Sequence, residues 1–170
     1  METLEAIYTR RSIREYTTQE VPDKLVKKLL AAAMQAPSAG NEQPWHFVIV
    51  TDRKQMDALA NALPFGKMLH TAPLGIIVCA DMDLEKYEGF WVQDCSNATM
   101  NLLLAAHDSG LGAVWVGVYP VEDRVASLKH ILDLPGSVIP LSVIPLGYPL
   151  SLPEPPESRY NESRLHLNHW

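Results

Sequence analysis

One long apolar segment constrains the fold of this chain more than any other feature. Between Glu88 and Ser109, apolar side chains recur at helical spacing on one face, at Trp91, Cys95, Ala98, Leu102 and Ala105. The other side of the same segment is apolar too, at Met100, Leu103, Leu104 and Ala106. A helix of about 20 residues is roughly 30 Å long, the width of a small domain. Because a helix that is apolar nearly all round must be buried on several sides, the pattern predicts a central helix with part of its surface in a dimer interface.

The remaining periodic segments predict one domain, residues 1–170, in which helices are interleaved with short strands. Helices are predicted at Thr3–Thr9, Pro22–Met34, Arg53–Leu63 and Val121–Leu132. Strands are predicted at His46–Thr51, Gly75–Ala80, Ala113–Tyr119 and Val138–Leu146. We expect Pro140 and Pro145 to weaken the ends of the last strand, because proline donates no backbone hydrogen bond. This order of elements is typical of an α+β or α/β domain.

Residues 150–170 differ in composition from the rest of the chain. Three prolines predict an extended arm rather than a helix, at Pro153, Pro155 and Pro156. From Arg164 to Trp170 apolar and polar residues alternate, which predicts a strand that docks on the protein rather than a disordered end. The arm also carries Arg159, and a basic arm can close over an anionic ligand or a partner subunit.

The acidic balance of the chain limits its partners. The net charge of −6 and the pI of about 5.4 argue against a nucleic-acid-binding protein, which needs a basic surface. The sequence shows no signal-peptide pattern and no apolar run of transmembrane length, so we expect no membrane contact. Cys79 and Cys95 form no CxxC pair, and we expect buried thiols in a cytoplasmic protein, with a disulfide as the alternative. His166 and His169 alone are too weak a pattern to predict a metal site.

A basic run near the start of the chain suggests an anion site. Arg10-Arg11-Ser12-Ile13-Arg14 offers three guanidinium groups and a hydroxyl, and guanidinium groups bind phosphate bidentately. The alternative is a solvated basic surface.

A loop of small and polar residues, Pro37 to Trp45, follows the second predicted helix. Small residues let a backbone approach a ligand closely, and Ser, Asn and Gln offer donors and acceptors to a heterocycle. A plain connection between helix and strand is the alternative. Asp94, on the long helix, is open to either a structural hydrogen bond or a chemical role.

The glycines from Gly110 to Gly117 do not form a dinucleotide-binding motif. Trp115 stands at the third glycine position of GxGxxG, and a helix precedes the motif where a strand is needed, so we reject a Rossmann site. Gly117 lies inside a predicted strand, where glycine weakens the strand unless a ligand or another backbone approaches closely. A flat cofactor on this strand and a β-bulge are the two interpretations.

In this order, the pieces resemble the nitroreductase family of FMN-dependent NAD(P)H oxidoreductases. The resemblance rests on the RRSIR-x-Y start, the APSAGNEQPW-HFVIV loop and strand, and KML-HTAP before GIIVCAD. It continues through W-x-x-D-x-x-x-A-x-x-N-LLLAA-x-x-x-GLGAVW-x-G to the LGYP turn and the RYNESR-x-H tail. These motifs span nearly the whole chain. They identify a family, and they leave the acceptor open.

The resemblance implies an α+β fold with a mixed sheet flanked by helices, and a homodimer in which each C-terminal arm, residues 150–170, embraces the other subunit. FMN would lie at the dimer interface. The implied flavin-binding residues are Arg10, Arg11, Ser12, Arg14, Pro37, Ser38, Ala39, Asn41, Lys67, Val116, Gly117, Arg159 and Arg164.

These residues would contact different parts of FMN. The resemblance puts Arg10 and Ser12 toward the phosphate, with Arg159 or Arg164, and Arg14 near the N1/O2 edge of the ring. The loop residues Pro37, Ser38, Ala39 and Asn41 would come from the partner chain, and the backbone of Val116 and Gly117 would face N5. Pro64 stands where many relatives have Asn, which leaves the contact from Lys67 open.

The implied reaction is a ping-pong transfer of hydride from NADH or NADPH through flavin N5 to a nitroaromatic, quinone or flavin acceptor. No catalytic side chain is predicted, because solvent can supply the proton. Candidate walls of the acceptor site are Phe65, Tyr87, Phe90 and Trp91. The alternatives are a flavin-binding or sensory module with little turnover, and a specialised flavin enzyme such as a reductive dehalogenase.

Overall fold

The computed structural model describes residues 1–154 and 157–170. Its helices are α1 (Thr3–Thr9), α2 (Asp23–Ala33), α3 (Arg53–Ala62), α4 (Trp91–Asp108) and α5 (Glu122–Ile131). Its strands are β1 (Trp45–Val50), β2 (Leu74–Asp81), β3 (Gly112–Ala113), β4 (Val116–Gly117) and β5 (Val138–Gly147). Short 3-10 turns lie at Ala39–Asn41, Lys67–His70, Met82–Leu84 and Glu162–Arg164.

The described strands form one sheet in the order β1-β2-β5-β3, with β4 also paired to β5. These pairings are antiparallel, and a parallel bridge between Ser12 and Ala113 makes the sheet mixed at that edge. Helices pack on both sides of it, which confirms the predicted α+β class.

The core consists of two apolar clusters, one on each face of the sheet. Ile76 and Val78 of β2 belong to the cluster that contains α2 and α4, and Ile77 and Cys79 belong to the cluster that contains α3. Successive side chains of a strand point to opposite faces, so a strand without polar residues needs both faces covered. The predicted long helix is α4, which crosses the first cluster. The predicted buried thiols are confirmed.

The prediction that prolines weaken β5 is wrong, because β5 is the central strand of the sheet. Pro140 lies beside a bulge in the β2–β5 register, between Val78 and Cys79. Pro145 lies at the break between β3 and β4, since Ala113 pairs with Leu146 and the next pair is Val116 with Val143. Proline is tolerated in a sheet where the ladder is interrupted. The strand predicted at residues 113–119 is accordingly split in two.

The strand predicted from Arg164 to Trp170 is also wrong. The segment contains the end of a 3-10 turn and no strand within residues 157–170, and its apolar residues are exposed, Leu165 to 61%, Leu167 to 86% and Trp170 to 100%. Alternation stabilises a strand only where another strand and an apolar face are present, and the single chain offers this segment neither. Pro155 and Pro156 lie outside the described residues. Of the helices in the described parts of the chain, none has the length and apolarity to cross a membrane.

Candidate flavin site

A cavity of about 540 Å³ opens at the break between β3 and β4. We call it the strand cavity, and it is lined by Arg14, Pro64, Phe65, Lys67, Met68, Val114, Trp115, Val116 and Gly117. Arg14, Lys67, Val116 and Gly117 were predicted as site residues from distant parts of the sequence, and the fold brings these four together. Pro64, which stands where many relatives have Asn, lines the same cavity as Lys67.

The position of Arg14 follows from the path of residues 10–16, which pass β3 at a parallel bridge between Ser12 and Ala113. Ile13 donates its N–H to the carbonyl of Ala113 (3.0 Å), and the buried Tyr16 hydroxyl donates to the carbonyls of Ile13 (2.6 Å) and Pro145 (3.2 Å). A Cβ at Gly112 would lie 2.6 Å from Cγ2 of Ile13. Glycine at this position therefore lets the basic segment lie directly on the sheet.

Gly117 lies open to the strand cavity. A Cβ built on it would meet no atom within 4 Å, so no packed side chain covers the backbone here. Its carbonyl accepts a hydrogen bond from Arg124 (3.0 Å), and the Arg124 guanidinium lies 5.9 Å from the centre of the Phe65 ring. Sequence reasoning missed Arg124, because an arginine on an amphipathic helix carries no distinguishing signal.

A second cavity, of about 800 Å³, lies between α1 and the C-terminal arm. We call it the arginine cavity, and it is lined by Ile7, Tyr8, Arg10, Arg11, Glu157, Ser158, Arg159 and Tyr160. Burial, and then the charges of Arg11 and Arg159, lower the pKa of Arg10. None of these three arginines takes part in the ion pairs found among the described residues. Crowded, unpaired guanidinium groups favour a doubly charged anion.

Two other predicted phosphate contacts lie outside this cluster. Ser12 is exposed and bridges to Ala113. Arg164 is exposed in the 3-10 turn Glu162–Arg164 and is not among the described residues that line the arginine cavity. Arg159 is therefore the tail arginine that meets Arg10 in this chain.

The predicted flavin loop, residues 37–44, has a strained backbone. Gly40, Asn41 and Gln43 have positive φ values of 51°, 57° and 48°, which is uncommon for non-glycine residues and occurs preferentially at functional sites. The described linings of the strand and arginine cavities contain none of Pro37, Ser38, Ala39 and Asn41. Within one chain the fold does not bring this loop to either cavity.

Under this loop lie two buried carboxyl groups, Glu42 and Asp94, which are 6% and 3% exposed. Burial disfavours the charged form of Glu42, but hydrogen bonds from the N–H groups of Lys86 and Tyr87 hold its pKa below the usual value. Burial, and then the adjacent Glu42, raise the pKa of Asp94. Asp94 accepts a hydrogen bond from the N–H of Ala39 (3.0 Å). Of the two roles considered for Asp94, the structural hydrogen bond is therefore present. Sequence reasoning missed Glu42.

Of the four aromatic residues predicted to wall the acceptor site, Phe65 lines the strand cavity. Trp91 is buried and packs edge-on against Tyr119, with ring centres 4.7 Å apart, so it belongs to the core. Tyr87 and Phe90 are exposed on the turn before α4. Among the described residues no group of three or more His, Cys, Asp or Glu is placed to hold a metal ion.

The family comparison covers most of the chain. The sequence profile of the Nitroreductase family matches residues 7–64 and 62–148. A protein of Methanothermobacter thermautotrophicus, provisionally named NADH dehydrogenase/NAD(P)H nitroreductase, is 54% identical over 100% of this chain and 88% of its own.

Two solved structures have closely similar folds. A Parabacteroides distasonis protein with the same provisional name has a TM-score of 0.94 and 45% identity, and the match covers 99% of this chain and 98% of that one. A Desulfovibrio desulfuricans protein, provisionally named a nitroreductase and solved in complex with FMN, has a TM-score of 0.84 and 32% identity, with 99% and 98% covered. These matches confirm the predicted fold.

Proposed function

Because this chain belongs to the nitroreductase family, we propose that it is an FMN-dependent NAD(P)H oxidoreductase that passes hydride to a small acceptor such as a nitroaromatic, a quinone or a free flavin. The observation that carries the proposal is the convergence of Arg14, Lys67 and the bare backbone of Gly117 on one cavity. The FMN complex of the Desulfovibrio desulfuricans relative and the NAD(P)H nitroreductase name of the Methanothermobacter relative support it.

The residues present fit FMN at both of its ends. The arginine cavity gathers Arg10, Arg11 and Arg159 without a compensating ion pair among the described residues, which suits a dianionic phosphate. The strand cavity is open at Gly117, where a side chain would occupy space that a ring could fill. Arg11 belongs to the same cluster as Arg10, and both lie on the segment that carries Arg14.

The chain's own residues then have distinct tasks. Bound FMN supplies the hydride chemistry, because it accepts and donates hydride at N5. The Arg14 and Lys67 cations would stabilise negative charge on the pyrimidine edge of the ring. The backbone of Gly117, whose carbonyl accepts a hydrogen bond from Arg124, would orient N5, and Phe65 lines the same cavity. Solvent would supply the protons.

The working form is a homodimer in which the C-terminal arm of each chain, residues 150–170, reaches over its partner. Two features support this. The loop residues 37–44 line neither the strand nor the arginine cavity of their own chain, so a flavin contact from them needs a second copy. The arm exposes Leu165, Leu167 and Trp170, and such apolar surface favours association.

The test is the absorbance spectrum of the purified protein before and after anaerobic addition of NAD(P)H. We expect a flavin spectrum that bleaches rapidly, and recovery of colour when an acceptor is added. A matched control replaces FMN by riboflavin during reconstitution. Because riboflavin lacks the phosphate, it should bind far more weakly if the arginine cavity holds that group. A protein that FMN cannot reconstitute contradicts the proposal, and bound flavin that NAD(P)H reduces only slowly indicates a flavin-binding module without turnover.

A further inference from the structure

The loop of residues 37–44 and the turn of residues 85–90 are joined by two buried carboxyl groups. Asp94, in the first turn of α4, accepts a hydrogen bond from the N–H of Ala39 through Oδ1 (3.0 Å). Glu42, in the loop, accepts hydrogen bonds through Oε2 from the N–H groups of Lys86 (2.6 Å) and Tyr87 (3.1 Å). The helix residue therefore holds the loop, and the loop residue holds the turn before the helix.

The second oxygen of each carboxyl group has no hydrogen-bond donor. Glu42 Oε1 and Asp94 Oδ2 are both buried without a partner among the described residues, and the two carboxyl groups are close enough for each to shift the pKa of the other. Two ionised carboxylates repel strongly in a buried site, so such a pair holds a proton. Glu42 already accepts two amide N–H groups and Asp94 one, which makes Glu42 the better-stabilised anion and puts the proton on Asp94.

The charged and titratable neighbours of the pair come from the turn and from α4. Glu85 acts on Asp94 and Lys86 acts on Glu42, with opposite signs. The thiol of Cys95 follows Asp94 on the helix and donates to the carbonyl of Cys79 on β2 (3.6 Å). The Lys86 cation favours the charged form of Glu42, and the Glu85 anion favours the protonated form of Asp94. Both neighbours therefore support one negative charge on the pair.

We propose that Glu42 and Asp94 share one proton and act as positioning residues, which hold the loop and the turn as one rigid unit against the flavin. The contact with flavin rests on the proposed function, whereas the shared proton and the rigid unit do not. Gly40 shows how closely the two segments meet, because a Cβ there would lie 2.2 Å from Cε2 of Tyr87. When the shared proton leaves at high pH, two negative charges remain in a buried site, and the loop separates from the turn.

The first test needs no bound flavin. The full chain is compared with Asp94→Asn, whose amide still accepts from Ala39 and donates permanently to Glu42, with Asp94→Ala, and with the control Glu88→Gln on the exposed part of the same turn. We expect the infrared band of a protonated carboxylic acid at neutral pH in the native protein and in the control, and its loss in Asp94→Asn. Amide exchange at Ala39, Lys86 and Tyr87 should stay slow in Asp94→Asn and become fast in Asp94→Ala.

Absence of the protonated-acid band from the native protein overturns the proposal. Equally fast exchange in Asp94→Asn and Asp94→Ala overturns it too. If Asp94→Ala does not fold, the infrared test is repeated with Glu42→Gln. The amide of that variant donates to Asp94, so the band should again be lost.

The second test is the pH profile of FMN affinity. We expect the affinity of the native protein to fall by about tenfold, the equivalent of roughly 1.4 kcal/mol, as pH rises through the loss of the shared proton. The affinity of Asp94→Asn should stay flat over the same range. A native profile as flat as that of Asp94→Asn overturns the positioning role. If the native protein binds no FMN at any pH, the proposed function fails, and the infrared and exchange results still decide the shared proton.

Discussion

Like charges crowd together in two regions of this molecule, and the two regions treat them in opposite ways. In the arginine cavity, Arg10, Arg11 and Arg159 meet near the surface without an ion pair among the described residues. Under loop 37–44, Glu42 and Asp94 are buried, and backbone N–H groups and a shared proton compensate them. The difference indicates that buried charges with a structural role are compensated within the chain, whereas the charges of the proposed phosphate site are left for a ligand to compensate.

Removing the unsatisfied charges should have the largest effect. We expect Arg10→Ala with Arg159→Ala to weaken FMN binding by at least about 100-fold, because each charge-assisted hydrogen bond is worth roughly 1.5–3 kcal/mol. Titration of flavin fluorescence measures this. Lys24→Ala with Lys27→Ala removes the same two positive charges from exposed positions on α2 and should leave the affinity unchanged. An affinity within threefold of native in the double variant would break the comparison.

Removing a satisfied charge should instead affect stability. Glu42→Ala leaves the N–H groups of Lys86 and Tyr87 without an acceptor and the Asp94 carboxyl group without its partner, so we expect a loss of about 3 kcal/mol in the free energy of unfolding. Glu42→Gln keeps an acceptor and should cost about 1 kcal/mol. Urea unfolding of the flavin-free protein measures both. A Glu42→Ala variant as stable as Glu88→Ala would contradict the expectation.

The pH dependence of stability should sharpen the comparison further. Because the pKa of Asp94 is raised in the folded state, its stabilisation is complete below the unfolded pKa and is lost as pH rises through the folded one, with a slope near 1.4 kcal/mol per pH unit for one proton. The lowered pKa of Glu42 has the opposite sign, and its stabilisation is lost in acid. Stability of the flavin-free protein should peak between these limits, and Asp94→Asn should lack the alkaline fall.

The smallest predicted effect is the destabilisation of the flavin-free protein by its uncompensated arginine charges. Arg11→Ala should raise the free energy of unfolding of the flavin-free protein by up to about 0.5 kcal/mol, because it removes like-charge repulsion at a partly exposed site. The same variant should bind FMN less tightly. Thermal unfolding with and without FMN measures the two effects together, and a stability loss in the flavin-free protein would mean that Arg11 is structural.

Local sequence patterns predicted those helices and strands whose formation does not depend on which particular element packs against them. The helix α4 follows from apolar periodicity and the strand β2 from an uninterrupted apolar run, because any partner that covers these elements suffices. The central position of β5 could not be predicted in this way. Its prolines are acceptable only because the β2–β5 register shifts beside Pro140, where Leu141 has no partner on β2, and because β3 and β4 leave a break opposite Pro145. Both features appear only when β5 is paired with its neighbouring strands.

The candidate site also contains residues that local motifs predict and residues that depend on neighbours in the fold. Arg10, Arg14 and Gly117 were predicted from short motifs, since their residue types suit an anion or a flat ring locally. Glu42 was missed because its meaning depends on Asp94, which only the folded chain brings beside it. The tail was predicted as a strand from alternation alone, and the exposed Leu167 and Trp170 show that alternation does not provide a neighbouring strand.

The path of residues 10–16 past β3 also limits how this part of the gene can vary. Arg10 lines the arginine cavity and Arg14 lines the strand cavity, and because an extended chain advances about 3.3 Å per residue, the segment between them can span at most roughly 13 Å. Losing or gaining one codon between them would change this maximum span by about 3.3 Å. This stretch can therefore vary in sequence more freely than in length.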